Sequence, residues 1–427
     1  MSKTLDLGYR YLKKFGLRRF LAALLMYSSR QLSREIDVSA ADRITSGSTF
    51  HFIDRQLVAD DFTERDLREN ERIVESWEKA DKRNIASVNW FVPDFPEVYA
   101  GIMNIFRFAD YLGRKGIRNN FIIIGENPST EDLIASKLGG RFPALRGART
   151  YRNPELNSIP YAEVSFATFW ATAYPLLKFN NTLGKFYFIQ DNEALFYEAG
   201  PWSALAELTY HFGFQGITTA QPLKDWYFKT YGGEAVAFNP CVDTTLYYPD
   251  VKKPREKLQK IFFFARPLMP RNGFDLGILS LESIKKSHPE IEIVTAGANL
   301  ERWDIREEIK HLGFLSLEDT AQLYRSCDAA LYLMFTLHPG VIPFELMASG
   351  CAVVTNDYPA HRSVLRNGRN CILCTPTVTG IVESFERLHN NYPLRRELFE
   401  NGLKTTVQNS WDAEMERGYK FVTGTQD

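Results

Sequence analysis

Two stretches of this sequence carry side chains suited to gripping a diphosphate. In the first, Ala265-Arg266-Pro267-Leu268-Met269-Pro270-Arg271-Asn272-Gly273, two arginines precede an apolar-periodic run. Guanidinium forks match phosphate oxygens, and the start of the following helix adds partial positive charge. Taken alone, this loop fits a pair of solvent-facing arginines equally well. The second stretch, 331–356, reads LYLMFTLHPGVIPFELMASGCAVVTN. Its apolar run is broken by His338-Pro339-Gly340, Pro343 suits a helix's first turn, and Ser349-Gly350 closes that helix. Glu345, one turn in, can face whatever the loop holds. Both loops join a strand's carboxyl end to a helix's amino end, where open α/β sheets hold ligands, so together they favour a ligand site. A third pair, Asp191 and Glu193, follows Gln190 at the end of the run KFYFIQ. These acids either steer an incoming hydroxyl or are exposed loop acids.

The elements that position these residues follow from periodicity. Strands are expected at 88–92, 121–125, 164–168, 185–190, 216–220 and 235–239. A second set is expected at 260–265, 291–296, 329–334 and 351–355. Helical patterns fill the intervals, and Thr63-x-x-Asp66 is a candidate capping box for a helix over 63–80. Alternation of this kind specifies parallel sheets covered on both faces. The reading is therefore α/β: two Rossmann-like doubly wound domains facing a cleft, with an extra N-terminal helical segment. Boundaries are expected at 1–80 for the helical extension, 81–245 for the first domain and 246–407 for the second. A helix within 408–427 is expected to return to the first domain. The loop 93–101, with Gly101 in its closing turn, faces the same cleft. A Gly-x-Gly-x-x-Gly fingerprint is absent, which argues against a nicotinamide enzyme.

Composition narrows the class. A net charge of −1 gives no global field for nucleic acid. An aromatic share of 14% supplies either stacking platforms or a Phe-rich core. Five scattered cysteines and no evident secretory signal fit a cytoplasmic setting. Cys371-x-x-Cys374 has no second pair or nearby His, which argues against zinc. In the first forty residues, Lys3, Arg10, Lys13, Lys14, Arg18, Arg19, Arg30 and Arg34 interleave with leucines and phenylalanines. Residues 1–35 thus suit a basic amphipathic helix on the inner face of an anionic membrane, or a helix packed elsewhere or unfolded.

The motifs Ala265-Arg266-Pro267 with Arg271, and Glu345 running into Met347-Ala348-Ser349-Gly350-Cys351-Ala352-Val353-Val354, resemble the GT-B glycosyltransferases of family 4. Phe188-Ile189-Gln190-Asp191-Asn192-Glu193 and Pro240-Cys241-Val242-Asp243 add to the likeness, which runs from about residue 88 onward. The resemblance implies sugar transfer from a nucleotide diphosphate donor with retained anomeric configuration and no metal cofactor. By resemblance, Arg266 and Arg271 hold the diphosphate and Glu345 accepts from the ribose hydroxyls. Gly340 and Val341 approach phosphate or sugar, and Gly313, Phe314 and Leu315 read the base. In a transferase of this kind, Gly101, Gln190, Asp191 and Glu193 are expected to face a glycan acceptor, lipid-linked or free.

The sequence also departs from the family pattern. Leu337 stands where the first Glu of the family motif is expected, leaving His338 as the nearest polar residue. The second basic residue is Arg271 rather than Lys, and the usual glycine pair of the first-domain loop is reduced to Gly101. With ARPLMPRNGF and LHPGVIPFELMASG, these departures resemble bacterial rhamnosyltransferases of the WsaF type. That implies a dTDP-L-rhamnose donor and growth of a cell-surface polysaccharide. A UDP- or GDP-sugar donor, a phosphorylase or epimerase, and a nucleotide-sugar binder without transferase activity remain the alternatives.

Overall fold

Strands that read as unbroken apolar runs must be covered on both faces, and the computed structural model arranges them so. It describes residues 62–425 apart from Glu97 and 251–253. The basic stretch 1–35 and the linker 40–60 lie outside the described residues. In the first domain β1 (Ser87–Pro93) is buried at every position. It pairs in parallel with β2 (Arg118–Ile124) and β4 (Ala162–Ala167), putting Trp90 beside Phe121 and Phe166. Trp90 stacks on Phe166 with centroids 4.4 Å apart, and Phe106 of α2 (Ala100–Arg114) stacks on Phe121 at 4.5 Å. Most of the described aromatic side chains are used in this way, as core.

The first sheet runs β3-β2-β1-β4-β5-β6-β7, with β3 at Arg149–Arg152, β5 at Thr182–Ile189, β6 at Gln215–Thr218 and β7 at Ala235–Ala237. Helix α1 (Glu64–Lys79) begins with the expected reciprocal cap: the Asp66 N–H donates to Thr63 Oγ1 (3.3 Å) and the Thr63 N–H to Asp66 Oδ2 (2.7 Å). Its Trp77 packs edge-on against Phe186 of β5 and donates from Nε1 to Gln215 at 3.0 Å. Helices α3 (Trp170–Lys178), α4 (Pro201–Leu208) and α5 (Gln221–Tyr231) also lie in this domain, with short helical turns over Ser129–Leu133 and Gly139–Arg141. After Leu208 the chain tightens into a 3₁₀ turn over Thr209–Phe212.

The second sheet runs β10-β9-β8-β11-β12-β13. Its strands are β8 (Lys260–Phe264), β9 (Glu292–Ala296), β10 (Ile309–His311), β11 (Ala329–Tyr332), β12 (Ala352–Asn356) and β13 (Ile372–Cys374). Around it lie α6 (Phe274–Ser287), α7 (Leu317–Ser326, capped by Ser316), α8 (Ile342–Ala348), α9 (Pro359–Val364), α10 (Val378–Asn390) and α11 (Tyr392–Thr406). Strands β3 and β10 escape sequence reading because they are short edge strands with mostly uncovered positions, and β13, though apolar, is three residues long and too short to show a period.

The last helix, α12 (Trp411–Thr423), lies on the first domain. Met415 and Val422 enter that domain's core, and Glu414 accepts from the Asn239 N–H at 2.9 Å. Lys115 pairs with Glu416 at 2.8 Å. Among the described residues no helix is long and apolar enough to cross a membrane.

Candidate functional site

Chain order reverses between β1 and β4 in one sheet and between β8 and β11 in the other. Crevices open at such switch points, outside the strands' carboxyl ends. The loops after β8 and β11 are the two that carry Arg266, Arg271, His338 and Gly340, so the topology explains their meeting. A cavity of about 270 Å³ lies there, lined from the second domain by Arg266, Phe314, Leu315, Val341 and Glu345. The first domain contributes Tyr99, Met103, Arg107 and Arg141.

Each side chain on the second-domain wall is held. Arg266 lies over the Phe264 ring and donates from Nη1 to the Gly297 carbonyl at 3.3 Å. The Gly297 N–H in turn donates to the Gly313 carbonyl at 2.9 Å, fixing the turn that presents Phe314, which is 56% exposed. Glu345 accepts from the Tyr247 hydroxyl. Burial pushes its carboxyl up to about 7, against the pull of that hydroxyl and the Arg107 charge. Gly340 adopts φ 78°, and a Cβ there would strike the Tyr332 hydroxyl.

A second group of the expected residues gathers away from the cavity, where the two domains touch. Arg271 stacks over Phe196 of the first domain at 3.9 Å and faces Asp191. Asp191, 7% exposed, meets the Thr336 hydroxyl and the His338 N–H of the second domain. Burial lifts its carboxyl to about 6, with Arg271 opposing the rise. His338 accepts from the Gly340 N–H at Nδ1 (2.9 Å), so its other ring nitrogen carries the proton that meets the Thr219 carbonyl. Burial holds this imidazole down at about 4, hence neutral. Gln190 borders Gly101: a Cβ on that glycine would come within 3.3 Å of Gln190 Nε2.

Glu193 departs most from the sequence reading. Only 3% exposed, it turns into the first domain, where Oε2 accepts from the Trp170 N–H (2.5 Å) and the Tyr187 hydroxyl (3.1 Å). The 3₁₀ turn Glu193–Phe196 directs it inward, so it is not brought to the cavity. Conversely, sequence reasoning missed Arg107, Arg141, Asp243, Tyr247 and Trp411. Arg107 interrupts an aromatic helix face, Phe106-Arg107-Phe108, but such interruptions are common on amphipathic helices.

His288, Glu290 and His389 cluster beyond the far end of α6, where His288 Nε2 already meets Glu386 at 2.8 Å. All five cysteines are buried and free.

Residues 259–386 match the WsaF C-terminal domain. The O-antigen biosynthesis protein RfbC of Myxococcus xanthus is 39% identical over 350 residues, covering 81% of this chain but 27% of its own length. Anabaena HepE, solved with UDP and glucose, superposes with a TM-score of 0.63 at 12% identity, covering 80% of this chain and all of HepE. Staphylococcus aureus TarM, solved with fondaparinux, an alpha-GlcNAc-glycerol and UDP, gives 0.64 at 9% identity, covering 80% of this chain and all of TarM. The structural likenesses establish the fold, and the 259–386 match establishes the type of second domain. The chain has the GT-B glycosyltransferase fold, and its residues 259–386 are similar to the WsaF C-terminal domain.

Proposed function

We propose that this chain transfers a sugar from a nucleoside diphosphate donor to a glycan acceptor during polysaccharide assembly. The carrying observation is the cavity between the two facing sheet edges, with Arg266, Glu345 and an exposed Phe314 on one wall. Phe314 offers a ring for the base, Glu345 an acceptor for ribose hydroxyls, and Arg266 a fork for the diphosphate. Arg271 would leave Asp191 and join Arg266 there. Two guanidiniums would then take the charge that builds on the leaving diphosphate without a metal cofactor. The relative's O-antigen designation supports a surface polysaccharide as the product.

The finer reading is a retaining rhamnosyltransferase using dTDP-L-rhamnose. It rests on the WsaF-type motifs and on Leu337 replacing an acid. A 6-deoxy sugar lacks one hydroxyl and suits a less polar pocket. A UDP-sugar is the second reading, favoured by the UDP-containing structural neighbours. The acceptor would enter past Gly101, Gln190 and Asp191, and residues 1–35 would hold the protein at an anionic membrane surface.

Calorimetric titration with dTDP, UDP and GDP, with and without Mg²⁺, tests the donor. Metal-independent preference for dTDP is expected. Preference for UDP discards rhamnose, and no binding by any nucleotide discards the transferase. Binding without release of nucleoside diphosphate in the presence of glycan acceptors would leave a nucleotide-sugar binder. Arg266→Ala is expected to lower turnover at saturating donor about 100-fold, or ~3 kcal/mol. Unchanged turnover would remove Arg266 from the diphosphate.

A further inference from the structure

Beside the proposed donor cavity, on the first domain, lies an open pocket of about 560 Å³. It is lined by Arg107, Arg141, Phe142, Asp243, Thr244 and Trp411, and Arg107, Arg141, Asp243 and Trp411 also line the donor cavity. Two guanidiniums therefore stand where the first domain meets the donor. The charge between them is uneven. Arg141 pairs with Asp243 Oδ2 at 3.0 Å, while Thr245 bonds the other oxygen of that carboxylate at 2.6 Å. Arg107 forms no ion pair among the described residues: it lies 3.8 Å above the Trp411 ring and donates to Asn104 at 3.2 Å.

Two neighbouring guanidiniums share Asp243, which Arg141 already holds, and Glu345 of the adjoining cavity, whose carboxyl burial keeps largely protonated up to about 7, so an incoming anion would find unspent donors. Burial, and then Arg141, hold Arg107 down at about 10, against the pull of Asp243 and Glu345. The indole N–H of Trp411 is also buried, with no acceptor among the described residues. Forked donors, a further N–H and an open mouth suit a group rich in acceptor oxygens.

We infer that Arg107 and Arg141 form an acceptor subsite for an anionic group, a phosphate ester or diphosphate carried next to the hydroxyl that reacts. This rests on the transferase reading. It gives α12 a part in the site, because Trp411 supplies the platform under Arg107. The same chemistry can come from the phosphate of a lipid-linked glycan or from the carboxylate of an acidic sugar, and we commit to phosphate.

The test uses the full chain with its nucleotide site saturated by whichever nucleoside diphosphate binds. Geranyl diphosphate and methyl glucuronide are then titrated calorimetrically into wild type, Arg107→Gln and Arg141→Gln. Wild type is expected to bind geranyl diphosphate, each variant about tenfold or more weakly, since a hydrogen bond to a charged group carries about that factor. Melting curves within a few degrees of wild type verify that the variants fold. Equal binding of geranyl diphosphate by all three proteins, or none by wild type, overturns the subsite. Parallel loss of nucleotide affinity in Arg107→Gln overturns it by assigning that residue to the donor. Arginine-dependent binding of methyl glucuronide alone overturns the phosphate assignment. Failure of every nucleotide to bind is a separate result, against the transferase itself.

Discussion

Glu193→Gln isolates one buried carboxyl and leaves its geometry in place, since a single amide oxygen can accept from both the Trp170 N–H and the Tyr187 hydroxyl. In the folded chain burial raises this group from 4.5 to about 8. A raised folded-state pKa in an acid means that the folded state binds the extra proton between those two values. Stability therefore falls as pH rises through that window and is recovered as pH drops towards 4.5. Each unit corresponds to about 1.4 kcal/mol. Between pH 5.5 and 7.5 wild type should lose about 3 kcal/mol through Glu193, and the glutamine variant should lose none of it. Urea unfolding followed by tryptophan fluorescence at the two pH values measures the difference. Asp191 and Glu345 add similar slopes to both proteins and cancel in the comparison. Equal pH slopes in wild type and variant would refute the assignment of Glu193 as a buried acid protonated near neutrality.

Other outcomes follow from the second-domain loops. If Glu345 accepts ribose hydroxyls as a carboxylate, nucleotide affinity should strengthen as pH rises through about 7 and fall by up to a decade per unit below it. Titrations at pH 6, 7 and 8 should show that trend in wild type and a flat response in Glu345→Gln. A flat wild-type profile would exclude the carboxylate role. Gly340→Ala combines a left-handed φ of 78° with a collision at Tyr332 and should cost at least 1–2 kcal/mol, read as a lower Tm. An unaltered melting curve would show that the loop relaxes freely.

The alternation of strands and helices was legible because central strands of doubly wound sheets are apolar along their whole length, as in Trp90-Phe91-Val92 and Ile261-Phe262-Phe263. Edge strands such as Arg149–Arg152 carry no such signal. The loops of Arg266 and Glu345 could be picked out because each sits at a strand-to-helix join, and topology brings such joins together. Asp191 and Glu193, two positions apart on a loop, offered no sign that one meets the opposite domain while the other is swallowed by its own. A 3₁₀ turn decides that, and its short period leaves little trace in sequence. Arg107, Arg141 and Trp411 lie far apart in the chain, and their convergence depends on how α12 docks.

That docking also constrains the order in which the protein can be completed. Gly418 of α12 packs so tightly that a Cβ there would press on Phe238 and Phe108, and Met415 and Val422 complete the same core. The ribosome delivers Phe238 well before Trp411, with the whole second domain between them. At about 5–20 residues per second, the nascent first domain carries an uncovered apolar face for roughly 10–35 s. Chains truncated before residue 411 are expected to aggregate, because this face then has nothing to cover it.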